Sequence, residues 1–237
     1  MNIKSFKAGA KLYFCALNQN KKMELLHLEL KNKHFDAIIF DFGAVIIDID
    51  YHKTRDAFEK QGVKHFDELF SKAKQNSLFD NLEKGLISEN HFRDELRLIS
   101  GINLSNVQID EAWNSMLLEM PQKRVELLQK LNKVLPLHLL SNTNIIHEKA
   151  FSAYIDTQYG LNSFKSLFQK IYFSHHINMR KPDLEIFEKV LDENKLNPST
   201  TLFIDDSLQH IEGARKAGIH AFHLKDGIDV CDLFGFS

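Results

Sequence analysis

Short stretches in which nearly every position is apolar recur along the chain: Ala37 to Phe40, Leu135 to Leu140, Ile171 to Ser174, Thr201 to Ile204 and His220 to Leu224. A strand with one solvated face alternates apolar and polar residues, whereas a run such as Ala-Ile-Ile-Phe between Asp36 and Asp41 suits a strand buried on both faces. Between the later runs the apolar positions change to helical spacing. Val125, Leu128 and Leu131 form one such stripe, Ile186, Phe187, Val190 and Leu191 a second, and Ile211, Ala214 and Ala217 a third. Pro121 and Pro182 fall where a first helical turn tolerates proline, and Gly218 falls where a helix would end. Alternating strands and helices predict an α/β fold with an open parallel sheet.

From Tyr51 to Met120 this alternation stops. Phe92, Leu96 and Ile99 make one helical stripe, and Ile109, Trp113, Met116 and Met120 another, with Ser105 and Gln108 ahead of it in capping-box spacing. The expected division is a core formed by residues 36–50 and 121–237, a helical insert at 51–120, and an N-terminal extension, 1–35, of no assignable role. Internal repeats, low-complexity tracts and a Pro/Ser-rich linker are all lacking, so the insert is expected to join the sheet through short structured connections.

Composition narrows the class. The 237 residues suffice for one large domain or a core with a smaller one. Thirty basic residues balance 32 acidic ones without long blocks of either sign, which gives no sign of a nucleic-acid partner. Cys15 and Cys231 stand far apart and without metal-ligand spacing, as expected of free thiols in a reducing compartment. Lys4, Lys7 and Lys11 precede an apolar stretch, Leu12 to Leu17, too short for a signal-peptide core, and Met23 offers an alternative start. No apolar run reaches membrane-spanning length. A cytoplasmic protein without a membrane partner is expected, as a monomer or small homo-oligomer.

Polar groups terminate three of the apolar runs: Asp41-Phe42-Gly43, Ser141-Asn142-Thr143-Asn144 and Asp205-Asp206. In a parallel sheet the carboxyl ends share one edge, where open α/β sheets bind their ligands. Lys181, in Met-Arg-Lys-Pro after the third run, is placed to reach that edge. Taken singly, Asp41 is as readily a turn residue, Ser141 and Asn142 helix caps, and Lys181 a solvated lysine. Adjacent carboxylates at a buried strand end are harder to account for, since they repel unless a cation or donors compensate.

In this order and context, the Asp41, Ser141, Lys181 and Asp205-Asp206 motifs resemble those of the haloacid dehalogenase superfamily of aspartate-nucleophile hydrolases, over most of residues 36–225. Three stretches, FDFGAVIIDID, LLSNTNIIH and MRKPDLEIF, are similar to the branch that contains α-D-glucose-1-phosphate phosphatase and the N-terminal domains of epoxide hydrolases. The resemblance implies a Rossmann-like core with a helical cap. It also implies a phosphatase (phosphoric monoester hydrolase) acting on a small phosphorylated metabolite such as a sugar phosphate through an aspartyl-phosphate intermediate. Asp41 and Lys181 would be catalytic. Ser141, Asn142 and Lys181 would bind the phosphoryl group, and Asp41, the Gly43 carbonyl, Asp205 and Asp206 would hold Mg²⁺, a cation suited to oxygen donors.

One position departs from that pattern. Most phosphatases of this kind carry a second aspartate two residues after the nucleophile as general acid and base, and Gly43 stands there. Such a group contributes about 10²–10⁴-fold. Asp48 and Asp50 are candidate substitutes or plain surface residues. A metal-independent haloacid dehalogenase-type hydrolase and a catalytically decayed phospho-ligand-binding protein are the alternatives, opposed respectively by the Asp205-Asp206 pair and by retention of the whole set. Asp-Phe-Gly also occurs in protein kinases, but no glycine-rich loop or catalytic-loop motif precedes it. Among the 12 histidines the adjacent His175 and His176 invite a metal site but lack a supporting cluster, so a structural or surface role is expected, and His147 is a candidate lining residue.

Overall fold

The structure, a computed structural model, describes residues 12–13, 33–69, 77–225 and 227–236. Expectations attached to Lys4, Lys7, Lys11, Cys15 and Met23 lie outside these residues. A two-residue strand, β1 (Leu12–Tyr13), pairs antiparallel with β2 (His34–Phe35). The main sheet contains β3 (Ala37–Phe40), β4 (Leu137–Ser141), β5 (Lys170–Phe173), β6 (Thr201–Asp205) and β7 (His220–His223). Its order is β5-β4-β3-β6-β7 and every pairing is parallel. The chain therefore builds outward from β3 on one side and returns to build on the other, which makes the carboxyl end of β3 the switch point of the sheet.

The continuous apolar runs are explained by two buried faces. Ile38, Phe40, Leu202 and Ile204 pack into one apolar cluster with Val125, Leu128, Phe151 and Val230. Their alternating neighbours Ile39 and Phe203 pack into another with Phe187, Val190, Ile211 and Ala214. The first layer comes from α5 (Gln122–Leu131), α6 (Ile145–Tyr159) and α11 (Val230–Leu233), with α7 (Leu161–Lys165) beside it. The second comes from α9 (Leu184–Asn194) and α10 (Leu208–Lys216), and the short α8 (Ser174–Ile177) follows β5. Cys231 is a buried free thiol. Gly218, at φ 81°, lies just beyond the end of α10 as anticipated. The two prolines depart from expectation. Pro121 has an extended ψ of 133° and precedes α5, while Pro182 stands two residues ahead of α9.

Among the described residues, positions 51–114 hold no strand and include the helices α1 (Tyr51–Lys60), α2 (Leu78–Glu83), α3 (Glu89–Ser100) and α4 (Asn106–Asn114). The Ser105–Gln108 capping box is formed in both directions. Phe58, Leu82, Phe92, Ile109 and Trp113 make a separate apolar cluster that reaches the core through Ile146. The second stripe is shorter than its periodicity predicts, because α4 stops at Asn114 and Met120 packs into the main core instead. Residues 116–119 return beside 48–50, with Leu118 N donating to Asp48 O, Asp48 N to Glu119 O and Asp50 N to Met116 O. Insert and core are thus joined by a short antiparallel ribbon. No helix among the described residues is long and apolar enough to cross a membrane.

One buried polar residue in the sheet is poorly accommodated. His138, within β4, has no hydrogen-bond partner at either ring nitrogen, and burial, aided by Lys170, pushes its pKa down from 6.5 to about 4. An unfolded chain takes up that proton near 6.5 and the native one only near 4, so His138 costs stability progressively as pH falls between them. His138→Leu is expected to stabilise the protein by about 1 kcal/mol at neutral pH. By pH 5 the gain should grow by about 2 kcal/mol. Urea midpoints of the two proteins at pH 7.5 and 5 check this, and a gain that shrinks on acidification would contradict it.

Candidate active site

The carboxyl edge of the sheet brings the predicted residues together. Asp41 follows β3, Ser141 ends β4 and Asp205 ends β6, with Asp206 next in sequence. Lys181 reaches them from the loop after α8 and is fully buried. Its Nζ donates to Asp41 Oδ1 at 2.6 Å, Asp205 Oδ2 at 2.6 Å and the Leu140 carbonyl at 2.9 Å. Three charge-assisted donors thus find three acceptors, which a lysine needs when removed from water. Asn142 fixes the backbone of the same residue: its Nδ2 donates to Lys181 O and its Oδ1 accepts from Lys181 N, both at 2.9 Å. Its side chain is therefore engaged, which narrows the expected phosphate contact at Asn142 to the backbone N–H. Helix capping falls to Asn144, whose Oδ1 accepts from Ile146 N and His147 N. Ser141 Oγ makes one long contact, 3.5 Å to Asn142 O.

Asp205 is enclosed. Beyond Lys181 it accepts from Ser207 N at 2.8 Å and contacts His210 Nδ1 at 2.9 Å. Burial alone would raise its pKa, but Lys181 and His210 outweigh that and hold it at about 2. Asp41 differs. Burial pushes it up to about 7 against the pull of Lys181, and Asp205 and Asp206 push the same way. Asp206 is also raised, by burial and by Asp205. Lys181 remains protonated: burial disfavours its charge, and Asp205 and Asp41 more than offset this.

Asp41, Asp205 and Asp206 each present a carboxylate oxygen within 4.8 Å of the others. One lysine faces three carboxylates, so the set as built is short of positive charge. A hard divalent cation restores neutrality, and an all-oxygen donor set suits Mg²⁺. The residues present therefore fit such an ion. Asp41, Gly43 and Asp206 line one large cavity of about 920 Å³, whereas the enclosed Asp205 does not.

The opposite walls come from the insert, through Tyr51, Phe79, Glu83 and Trp113 among others. His147 also lines the cavity, as anticipated. It is buried, stacks on Trp113 with 5.2 Å between ring centroids, and contacts Asn114 Oδ1 through Nδ1 at 2.8 Å. Burial pushes its pKa down to about 3, so the ring is neutral. Arg180, next to Lys181, pairs with Asp80 and with Glu83, the latter at 3.1 Å. Asn178 Nδ2 donates to Lys84 O at 2.7 Å, and a Cβ on Gly85 would lie 2.3 Å from His175 O. α2 is thereby docked against the loop that presents Lys181.

Neither Asp48 nor Asp50 lines this cavity. Asp48 accepts from Arg124 Nη1 at 2.8 Å, and Asp50 caps α1 by accepting from His52 N at 3.0 Å. His175 and His176 each place Nε2 2.8 Å from Glu148 Oε2, a cluster that spacing did not reveal because Glu148 lies on α6. Sequence reasoning also missed Glu83, Arg180, Tyr51 and His210. Arg180 had a signal in its adjacency to Lys181, and His210 in its place five residues after Asp205. Glu83 had none.

Known proteins resemble the chain in sequence and in fold. A family model described as haloacid dehalogenase-like hydrolase matches residues 38–224. A D-ribitol-5-phosphate phosphatase from Bacteroides thetaiotaomicron is 32% identical over 194 residues, covering 81% of this chain and 93% of the relative. A HAD-family enzyme from the same organism, solved with magnesium and inorganic phosphate, superposes with a TM-score of 0.76 at 35% identity over 84% of this chain and 99% of its own. A predicted HAD-like hydrolase from Porphyromonas gingivalis gives 0.73 at 28% identity, covering 82% and 93%.

Proposed function

The chain belongs to the haloacid dehalogenase-like hydrolases, and on that premise we propose that it is a Mg²⁺-dependent phosphatase of a small phosphorylated metabolite that transfers the phosphoryl group to Asp41. The observation that carries this is the buried Lys181 bridging Asp41 and Asp205 beneath the cavity floor. In this scheme residues 51–120 are a cap over a core of 36–50 and 121–237. Mg²⁺, held by Asp41, Asp206 and the Gly43 carbonyl with Asp205 in support, would offset the charge of a phosphate monoester dianion that otherwise repels the nucleophile.

The chain's own groups do the remainder. Lys181 keeps the second Asp41 oxygen engaged and so aims the free one into the cavity. Ser141 Oγ, which has only a long internal contact, and the Asn142 N–H bind phosphoryl oxygens, while the Asn142 side chain positions Lys181. Asp205 is the counter-charge of Lys181 and the hydrogen-bond partner of His210 more than an open ligand. Water then hydrolyses the aspartyl phosphate. A metal-independent dehalogenase would have no use for Asp206 on the cavity floor.

The substrate proposed is a phosphorylated polyol or sugar of a few carbons, which agrees with the activity for which the Bacteroides relative is named and with a cavity wide enough for such a molecule. Assaying sugar, polyol and nucleotide phosphates with Mg²⁺ and with EDTA tests it. Phosphate release from a polyol or sugar phosphate, lost with EDTA and restored by Mg²⁺, is the expected result. Metal-independent turnover, or release only from nucleotides, would contradict it.

A further inference from the structure

We propose that Glu83, on the insert, is the general acid and base of the reaction, the role for which position 43 carries no side chain; this rests on phosphoryl transfer to Asp41 as set out above. Position 43 lacks more than a carboxylate. A Cβ built there would lie 2.9 Å from Ile49 Cδ1, so Ile49 already occupies the space that an aspartate would enter. Asp48 and Asp50, the nearest carboxylates in sequence, are turned to Arg124 and to the N-terminus of α1.

Displacement at phosphorus is in line, so the leaving oxygen departs away from Asp41, toward the side of the cavity that the insert walls. The proton donor must stand there. His147 is neutral, and its Nδ1 is engaged by Asn114. Burial pushes the His210 pKa down, and the neutral ring, with its Nδ1 on Asp205, carries no proton on Nε2 to give. Arg55 pairs with Asp56 and does not give up its proton. Asp67 and His52 are exposed. Glu83 is half-buried on the cavity wall, and its Oε2 is shielded from solvent without a hydrogen bond. Arg180 Nη2 lies 3.1 Å from that oxygen as an ion pair. The docking of α2 on the loop that presents Lys181 holds Glu83 in place relative to the reacting centre.

Charges around Glu83 favour a carboxyl that holds its proton more readily than a solvated one. Burial raises its pKa, Arg180 opposes this, Asp80 adds to it, and Lys181 lowers it more weakly. Tyr51, at the start of α1, feels Asp206, Asp41 and Glu83 together. Although the residue is 68% exposed overall, burial of its hydroxyl end and these carboxylates push its pKa up to about 12. That value keeps the phenol protonated and ill-suited to cycling its proton.

In the first step a bond forms between Asp41 Oδ and phosphorus, and the bond from phosphorus to the ester oxygen breaks. The electron pair stays on that oxygen, which takes the Glu83 proton and leaves as the alcohol. In the second step water attacks phosphorus, its proton returns to Glu83, and the bond from phosphorus to Asp41 breaks to restore the carboxylate. Arg180 stabilises ionised Glu83 between the two.

The test compares kcat/KM of wild type, Glu83→Gln and Tyr51→Phe on 4-nitrophenyl phosphate and on an alkyl phosphate, with Mg²⁺ present. Nitrophenolate leaves without protonation and an alkoxide does not, so Glu83→Gln is expected to lose about 10²-fold more on the alkyl ester than on the nitrophenyl ester. It should also lose the alkaline fall of kcat/KM on the alkyl ester. Equal losses on both esters would assign Glu83 to binding or folding and overturn the proposal. So would the leaving-group effect appearing in Tyr51→Phe instead. A wild-type protein that hydrolyses neither ester would overturn phosphoryl transfer to Asp41 itself, and with it this role for Glu83.

Discussion

Asp41→Asn is expected to lower phosphate release by at least about 10⁴-fold while leaving the protein folded. A carboxamide is close in shape to a carboxylate, so cavity and sheet are preserved, but its oxygen does not attack phosphorus at a useful rate. The substitution also removes a negative charge from a site with one lysine against three carboxylates. Asp41 is the buried member whose pKa is pushed up, to about 7, so losing its charge is expected to leave the thermal midpoint unchanged or higher. Phosphate release measured beside a melting curve separates lost chemistry from lost structure. Activity within tenfold of wild type would require another nucleophile.

Lys181→Met is expected to lose both activity and stability, by about 3–5 kcal/mol for the latter. Lys181 and Asp205 are fully buried and Asp41 nearly so. Without the ammonium, Asp41 and Asp205 confront each other and Asp206 in a region from which water is largely excluded. His210 and the Ser207 N–H still hold Asp205, but nothing replaces the 2.6 Å donor to Asp41. Added Mg²⁺ should recover part of the stability by supplying positive charge, without recovering turnover. Urea midpoints with and without Mg²⁺ measure this. A midpoint equal to wild type in EDTA would mean that the lysine is not the counter-charge the geometry assigns it.

The legible part of the protein was what local pattern encodes. Ala37–Phe40 and Thr201–Ile204 read as doubly buried strands because both faces of the sheet are covered, and their polar ends then placed Asp41, Asp205 and Asp206 on one edge. Lys181 was legible through its motif, though its complete burial was not. The second insert stripe overran because Met116 and Met120 keep helical spacing after the chain has left α4 for the connecting ribbon. That the Asn142 side chain closes on the Lys181 backbone 39 residues away is something no local pattern reveals.

Glu83 and Tyr51 were illegible for a related reason, and Arg180 offered only its adjacency to Lys181. Their place at the cavity depends on how the insert docks on the core, which is set by contacts between Asp80, Glu83, Lys84 and the segment 178–183. No spacing within either segment specifies that pairing. Gly43 was legible as a missing carboxylate, but Ile49 filling its space was not.

Trapping the phosphorylated enzyme tests the central claim most directly. The protein is mixed with Mg²⁺ and a substrate it turns over, quenched in acid within the first turnovers, and reduced with borohydride, which converts an aspartyl phosphate to homoserine. The peptide spanning residues 36–50 is then sequenced by mass spectrometry. Homoserine at position 41, dependent on substrate and absent from Asp41→Asn, is the predicted result. Unmodified Asp41 during active phosphate release, or reduction at another carboxylate, would contradict it.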